Sequence, residues 1–234
     1  MLGYEICVLS GSVGKVANLG VPDIVLSNMS DVVDHCRRIT RISDVSLMVD
    51  AEDGFGNAVN VVRTVREMEA AGVAAIEVED NFVPRQFNVA DPGLVSTEEQ
   101  VGKLEAAVAA RTDPTTVIVA RSAALGLCPL DEALERINAY SQTGAEALML
   151  TGSSSREQLE AVHEAFLDAN GVRILMLGNP TYAVAVKAIY DSLSHLKDGG
   201  AMEDLSDRLA SPGLLRQVNR TEEFIALQER YLRQ

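Results

Sequence analysis

Six short apolar runs rich in β-branched residues alternate along this chain with longer stretches of helical periodicity. That alternation restricts the fold to βα units wound around a parallel sheet. The runs are Glu5–Ser10, Ser46–Asp50, Ala74–Glu79, Thr116–Arg121, Ala147–Thr151 and Val172–Leu177. Several are apolar at consecutive positions, as strands covered on both faces are. Between them, Ala58–Ala71 reads as a helix, with Val61, Val62, Val65 and Met68 on one stripe and Arg63, Arg66, Glu67 and Glu69 on the other side. Gly72 stands where that helix must turn back into a strand. Ser96 with Glu99, and Ser155 with Gln158, have the spacing of capping boxes and mark two further helix starts. A chain of 234 residues with this alternation suits one α/β barrel domain of about 200–250 residues.

Charge narrows the function classes. Against 20 Lys and Arg stand 34 Asp and Glu, a net −14 that repels phosphate backbones and anionic lipid alike, so neither nucleic acid nor a membrane is an expected partner. No apolar run approaches the roughly 18 residues of a membrane span, and the start MLGYEICVLSG lacks the pattern of a secretion signal. Cys7, Cys36 and Cys128 are too few and too scattered for a disulfide framework, which points to a reducing cytoplasm. Cys7 falls in a strand and Cys36 in a helix, where small buried hydrophobes are common. Asn81–Thr97 is the one long aperiodic connection, either a binding loop or a solvated one. From His195 to Gln234 the sequence becomes a polar stretch and then a helical tail, with a final helix over Thr221–Tyr231 that packs either on its own barrel or on a neighbour.

The chemistry concentrates in Val49–Asn57, VDAEDGFGN, where an apolar strand closes on Asp50, Glu52 and Asp53 and runs through Gly54 and Gly56 into a helix. Strand C-terminal ends face the active-site mouth in parallel α/β folds. Side-chain alternation points Asp50 and Glu52 the same way while Asp53 diverges. Two carboxylates converging without a basic neighbour repel each other unless a cation sits between them, and hard oxygen ligands suit Mg²⁺ or Mn²⁺. The alternative is an acidic loop that caps the next helix through Asp53 or Asn57. The strand AIEVEDN ends in the same way, with Glu77 and Glu79 on one face: one is expected in the barrel wall, the other at the same cation. Arg121, closing VIVAR, offers either a planar fork for a carboxylate or a salt bridge to Glu79 or Asp80. Ser10-Gly11-Ser12 ends the first strand with small residues whose backbone N–H groups can approach an anion. His35, His163 and His195 lie in helical stretches away from strand ends and read as surface or packing residues.

The segment VDAEDGFGNAVNVVRTVREMEAAGVAAIEVEDNFVPRQF, together with LSGSV, GVPD at Gly20–Asp23, TEEQVGKLEAA, TVIVARS and YAVAVKAIYDSL, resembles the isocitrate lyase/phosphoenolpyruvate mutase superfamily. Within it the chain is most similar to the oxaloacetate decarboxylase branch. The resemblance implies a (β/α)8 barrel of the TIM type, Mg²⁺ (or Mn²⁺) at its C-terminal mouth, and bond cleavage next to an α-keto-acid carboxylate. It implies homotetramers, dimers of dimers that exchange the last helix. Carried onto this sequence, it makes Asp50 the direct metal ligand, with Glu52, Glu79 and Asp23 reaching the metal through water. Ser10, Gly11, Ser12 and Arg121 become the groups that hold substrate carboxylates. Glu52 stands where the family usually has aspartate, and no cysteine occurs in Asn81–Thr97, unlike the lid of the 2-methylisocitrate lyases. Six strands are counted where the resemblance implies eight, so the barrel is expected to be incomplete, lacking a strand before Leu2–Gly11 and a βα unit between Arg156–Phe166 and Val172–Leu177. The last run aligns with the eighth strand and places Asn179 where the decarboxylase branch has a substrate-contacting histidine.

The resulting expectation is a metal-dependent decarboxylase of small α-keto dicarboxylic acids, oxaloacetate first, working through a metal-stabilised enolate with Asp50, Glu79 and Arg121 as catalytic residues. Its rivals are a lyase of a methylated malate or citrate analogue, and a catalytically weak homologue serving as an oligomeric binding subunit.

Overall fold

The computed structural model describes residues 3–24, 26–83, 93–153, 155–167 and 179–232. The chain divides into two compact units, Tyr4–Met176 and Leu177–Gln234, the second together with Met1–Gly3. The first unit is a curled, parallel five-stranded sheet with helices between its strands. Its strands are β1 (Ile6–Leu9), β2 (Ser46–Asp50), β3 (Ala75–Glu79), β4 (Val117–Ser122) and β5 (Ala147–Leu150), hydrogen-bonded in sequence order. Five of the six expected runs are therefore strands, each within a residue or so of its expected ends. The sixth, Val172–Leu177, lies outside the described residues, and so does most of Asn81–Thr97.

The helices of this unit are α1 (Gly11–Leu19), α2 (Met29–Thr40), α3 (Ala58–Ala70), α4 (Thr97–Ala110), α5 (Ala124–Leu127), α6 (Leu130–Ser141) and α7 (Arg156–Val162). The Ser96 side chain accepts from the Glu99 N–H and the Ser155 side chain from the Gln158 N–H, as the spacings require. On α3 the buried stripe is Val61, Thr64, Val65 and Met68, with Val62 only partly covered. Thr64 is accommodated because its Oγ1 donates to the Gly54 carbonyl at 3.0 Å, so the polar atom stays hydrogen-bonded inside. Gly72, at φ 79°, makes the turn out of α3 that a side chain would strain.

The core follows from the sheet order. Central strands β3 and β4 are covered on both faces, with Ile76, Val78, Ile118 and Ala120 fully buried against Val65, Met68, Leu104 and Ala107. β1 pairs with β2 alone among the described residues, and its first residues are exposed. Cys36 packs in the core as expected, whereas Cys7 is exposed because it sits on that edge strand.

One buried polar network ties three elements together. The fully buried Asp80 accepts from Ser122 Oγ at 2.6 Å, from the Ala123 N–H at 3.2 Å and from the Tyr140 hydroxyl at 3.1 Å. Its own N–H donates to the Arg121 carbonyl, so the ends of β3 and β4 are held side by side. Burial and the adjacent Asp80 charge push the Tyr140 hydroxyl well above the usual phenol range.

The second unit carries α8 (Pro180–Lys197), a 3-10 turn (Met202–Arg208), α9 (Pro212–Val218) and α10 (Thr221–Tyr231). The final helix has the bounds its spacing predicts, with Phe224, Leu227 and Tyr231 all exposed.

Tyr140→Phe should lower the unfolding free energy by about 1.5–3 kcal/mol, the worth of a hydrogen bond to a charged group. Urea denaturation should show a reduced midpoint with an unchanged slope. An unshifted midpoint would mean that the hydroxyl carries none of the junction between β3, β4 and α6.

Candidate active site

The strand ends converge as their register dictates. Asp50, the last residue of β2, is opposite Glu77 of β3, and Glu79 is opposite Arg121 of β4. Residues two apart on a strand share a face, so Glu77 and Glu79 both turn toward the Arg121 guanidinium. Arg121 Nη1 lies 2.5 Å from Glu77 Oε1 and 3.2 Å from Asp50 Oδ2, and its Nε is 3.4 Å from Glu79 Oε2. The expected split between Glu77 and Glu79 does not occur: both are buried and both meet Arg121. Asp80 takes no part in this cluster, being committed to Ser122 and Tyr140.

Asp50 and Glu52 do point the same way, but strand alternation is not the reason. β2 ends at Asp50, and Glu52 adopts a left-handed φ of 52°, as does Phe55 at 61°. Such conformations cost a non-glycine residue on the order of 1–3 kcal/mol and persist only where the surroundings hold them. Here the Glu52 N–H donates to Asp50 Oδ1 at 3.1 Å and the Phe55 N–H to Asp53 Oδ1 at 3.0 Å. The buried Lys103 of α4 places its ammonium 3.5 Å from Asp53 Oδ2. Gly54, at φ 85°, lets α3 approach, since a Cβ there would lie 2.4 Å from Val61 Cγ2. Of the two capping residues expected, Asn57 does cap α3, accepting from the Val59 and Asn60 N–H groups, while Asp53 bonds the Phe55 N–H instead.

The first strand delivers the fourth side of the site. Ser10 leads into α1 without capping it through its side chain, and its Oγ lies 2.9 Å from Ser12 Oγ. The Gly11 N–H donates to Asp50 Oδ2 at 3.2 Å, and a Cβ on Gly11 would meet Glu52 Oε1 at 2.4 Å. Only glycine permits this approach of α1 to the carboxylates. One turn further along, Lys15 sends a buried ammonium to 2.5 Å from Glu52 Oε1 and 2.6 Å from Asp23 Oδ1.

Four carboxylates (Asp50, Glu52, Glu77, Glu79) thus share the site with two cations, Lys15 and Arg121, which leaves an excess of two negative charges when all are ionised. The pKa values register that excess. Glu52 and Glu77 are pushed up to about 7, first by burial and then by the Asp50 charge, against the pull of Lys15 and Arg121 respectively. Glu79 is also pushed up to about 7, by burial and by Asp50, with Arg121 opposing. Burial works against the charge on Lys15 and on Arg121, yet the carboxylates around each hold its pKa above the ordinary value.

Among the described residues no three His, Cys, Asp or Glu side chains converge closely enough to hold a metal by themselves. Mg²⁺ needs no such cluster, since it keeps several waters and takes only one or two protein carboxylates. Glu77 Oε2 is buried without a hydrogen-bond partner, and the charge excess matches a divalent ion. Of the residues expected to serve the metal, Asp50 and Glu79 gather around Arg121, while Glu52 and Asp23 gather around Lys15. Asn179 is the N-cap residue of α8 in the second unit. His35 contacts Asn18, and His195 pairs with Asp204 at 3.0 Å. Sequence reasoning missed Lys15 and Lys103. The only signal of Lys15 was a lone charge in GSVGKVANL, and its partners lie in other elements.

Comparison with known proteins places the chain in a family. The sequence profile of the family described as phosphoenolpyruvate phosphomutase matches residues 6–191. An oxaloacetate decarboxylase of Rhodopseudomonas palustris (strain BisA53) is 38% identical over 237 residues, covering 94% of this chain and 82% of the relative. The crystal structure of phosphoenolpyruvate phosphomutase from Streptomyces platensis subsp. rosaceus superposes with a TM-score of 0.88 at 27% identity, covering 99% of this chain and 88% of that one. A phosphonopyruvate hydrolase in complex with oxalate and Mg²⁺ gives 0.83 at 31% identity, with coverage of 99% and 88%. Those neighbours carry the parallel sheet of this chain in a (β/α)8 barrel. The chain belongs to the phosphoenolpyruvate phosphomutase family.

Proposed function

We propose that this protein is a divalent-metal-dependent carbon–carbon lyase that converts oxaloacetate into pyruvate and CO₂. The relative named oxaloacetate decarboxylase supports the lyase class and the substrate. The observation that carries the metal dependence is the buried excess of carboxylate around Asp50, which Lys15 and Arg121 leave uncompensated. The neighbour complexed with oxalate and Mg²⁺ supports the choice of ion.

Asp50 would hold the cation, with Glu77 and Glu79 supplying further negative charge to the same cluster. When bound, Mg²⁺ or Mn²⁺ would supply Lewis-acid stabilisation of the negative charge left on the keto-acid as CO₂ departs. Gly11, with Ser10 and Ser12 on either side, stands at the start of α1, where a carboxylate is favoured, and its N–H is already bonded to Asp50 Oδ2, so a substrate carboxylate would sit beside that bond. Arg121, whose Nη1 and Nε already face Asp50, Glu77 and Glu79, would meet a substrate carboxylate with the remainder of its guanidinium. Holding both ends of a four-carbon diacid aligns the scissile bond and excludes unproductive poses. The electron pair of the broken C–C bond passes into the keto-acid, whose carbon then takes a proton from water.

The reading extends to location and assembly. Cys7, Cys36 and Cys128 are free thiols, consistent with a reducing cytoplasm. Helix α10 exposes Phe224, Leu227 and Tyr231, and we assign that face to a partner subunit in a homotetramer, a dimer of dimers. Light scattering on the purified chain should report a dimeric or tetrameric mass, and a monomer at micromolar concentration would overturn the assembly.

Purified protein should consume oxaloacetate in Mg²⁺ or Mn²⁺ and not in chelator. Asp50→Ala should lose cation binding and turnover together, by more than the roughly 10- to 100-fold that follows loss of an outer-sphere group. Unchanged Mg²⁺ affinity in Asp50→Ala would remove the metal from the account, and wild-type turnover in chelator would remove it from the reaction.

A further inference from the structure

We propose that Lys15 is a built-in cation of this active site, which takes Glu52 out of service to the metal and thereby limits how tightly the chain holds a divalent ion. The inference rests on the metal reading above and asks which of the carboxylates the ion can use. Nothing near Asp50 and Glu52 in sequence neutralises them, so the sequence leaves an external cation as the only remedy. The fold supplies another. Lys15 lies four residues, one helical turn, beyond Gly11, the residue whose N–H reaches Asp50 and whose missing side chain admits Glu52. Its side chain is 2% exposed, and the ammonium is within 2.5 Å of Glu52 Oε1 and 2.6 Å of Asp23 Oδ1.

Three features make this more than a surface ion pair. Glu52 is itself buried, with 6% of its side chain exposed, so its charge is screened by protein groups and not by water. Its backbone, at φ 52°, belongs to the loop that also carries Asp50, and its N–H donates to Asp50 Oδ1, so the partner of Lys15 is bonded directly to the residue that would hold the metal. Asp23, by contrast, has 60% of its side chain exposed and serves as the outer partner of the same ammonium. Lys15 therefore offsets the Glu52 carboxylate inside the site, with Asp23 on the outer side of the same ammonium. The charge available to a divalent ion comes from Asp50, Glu77 and Glu79, partly offset by Arg121.

A charge cycle tests this. Metal-stripped full-length protein is titrated with MgCl₂ alone in a calorimeter, as wild type, Lys15→Met, Glu52→Gln and the double variant. Lys15→Met unmasks Glu52 and should bind Mg²⁺ at least tenfold more tightly, about 1.4 kcal/mol. Lys15→Gln is made beside it, since the amide keeps a hydrogen-bond donor near Glu52 and protects folding; it should shift affinity in the same direction. Glu52→Gln should weaken binding by leaving Lys15 unbalanced. The double variant removes a neutral pair and should return to within about threefold of wild type, about 0.65 kcal/mol. Unchanged or weaker affinity in Lys15→Met and Lys15→Gln, with wild type binding normally, overturns the role of Lys15 and leaves the metal reading standing. A double variant tenfold weaker than wild type overturns it as well, because Glu52 would then serve the ion despite Lys15. If neither wild type nor either Lys15 variant binds Mg²⁺, the metal reading has failed and this inference falls with it.

Discussion

Repulsion between carboxylates brought together at the ends of β2 and β3 is the constraint around which this site is organised. Parallel pairing puts Asp50 beside Glu77, and burial denies Glu77, and in part Asp50, the water that would screen them. Like charges in low dielectric repel far more strongly than at a surface. The chain meets part of that cost with two tethered cations from separate elements, Lys15 from α1 and Arg121 from β4. The remainder shows as three glutamates pushed up to about 7. A folded-state pKa above the ordinary glutamate value of 4.5 means that these groups favour folding at low pH, and that this contribution is lost as pH rises toward 7. The metal-free protein thus gives up stability in order to keep its site acidic, and a bound divalent ion would restore it.

The surrounding structure holds that unfavourable arrangement in place. Lys103 on α4 pairs with Asp53, and Thr64 on α3 holds the Gly54 carbonyl, so the strained turn between β2 and α3 is tied to both neighbouring helices. On the other side, Asp80 joins the residue after Glu79 to the residues after Arg121 and anchors both to Tyr140. Glu52, Glu79 and Arg121 are each followed in sequence by a residue whose role is positional, namely Asp53, Asp80 and Ser122. Neighbours in the chain differ in function because they differ in the direction they face.

Much of this was legible in the sequence, for a physical reason. A strand covered on both faces must be apolar throughout, so β2, β3 and β4 stand out in composition, and serine caps announce α4 and α7 by local spacing alone. The meeting of Asp50 with Glu52 was foreseen, although a left-handed residue and not strand alternation produces it, because backbone conformation at a non-glycine position leaves no mark in the sequence. Glu77 was underweighted for a different reason: its partner Arg121 lies on the next strand, 44 positions away, and only the register brings them together. Lys15 and Lys103 were invisible for the same cause. A buried lysine is recognisable only by the carboxylate that satisfies it, and Glu52 and Asp53 come from a different element. Val62 was assigned to the core stripe on hydrophobicity, yet Thr64 takes that position because a carbonyl lies within its reach.

The central claim is that the acidic cluster is completed by a divalent cation, and proton release on binding tests it most directly. Near pH 7 Glu77 and Glu79, with pKa about 7, are partly protonated, and a cation that stabilises their ionised forms must expel those protons. Calorimetric titration with MgCl₂ in buffers of different ionisation enthalpy should show net proton release at pH 7. Affinity should rise between pH 6 and pH 8 and level off above that. Binding that releases no protons and keeps the same affinity across that range would contradict the account, since the ion would then lie away from the carboxylates of β2 and β3.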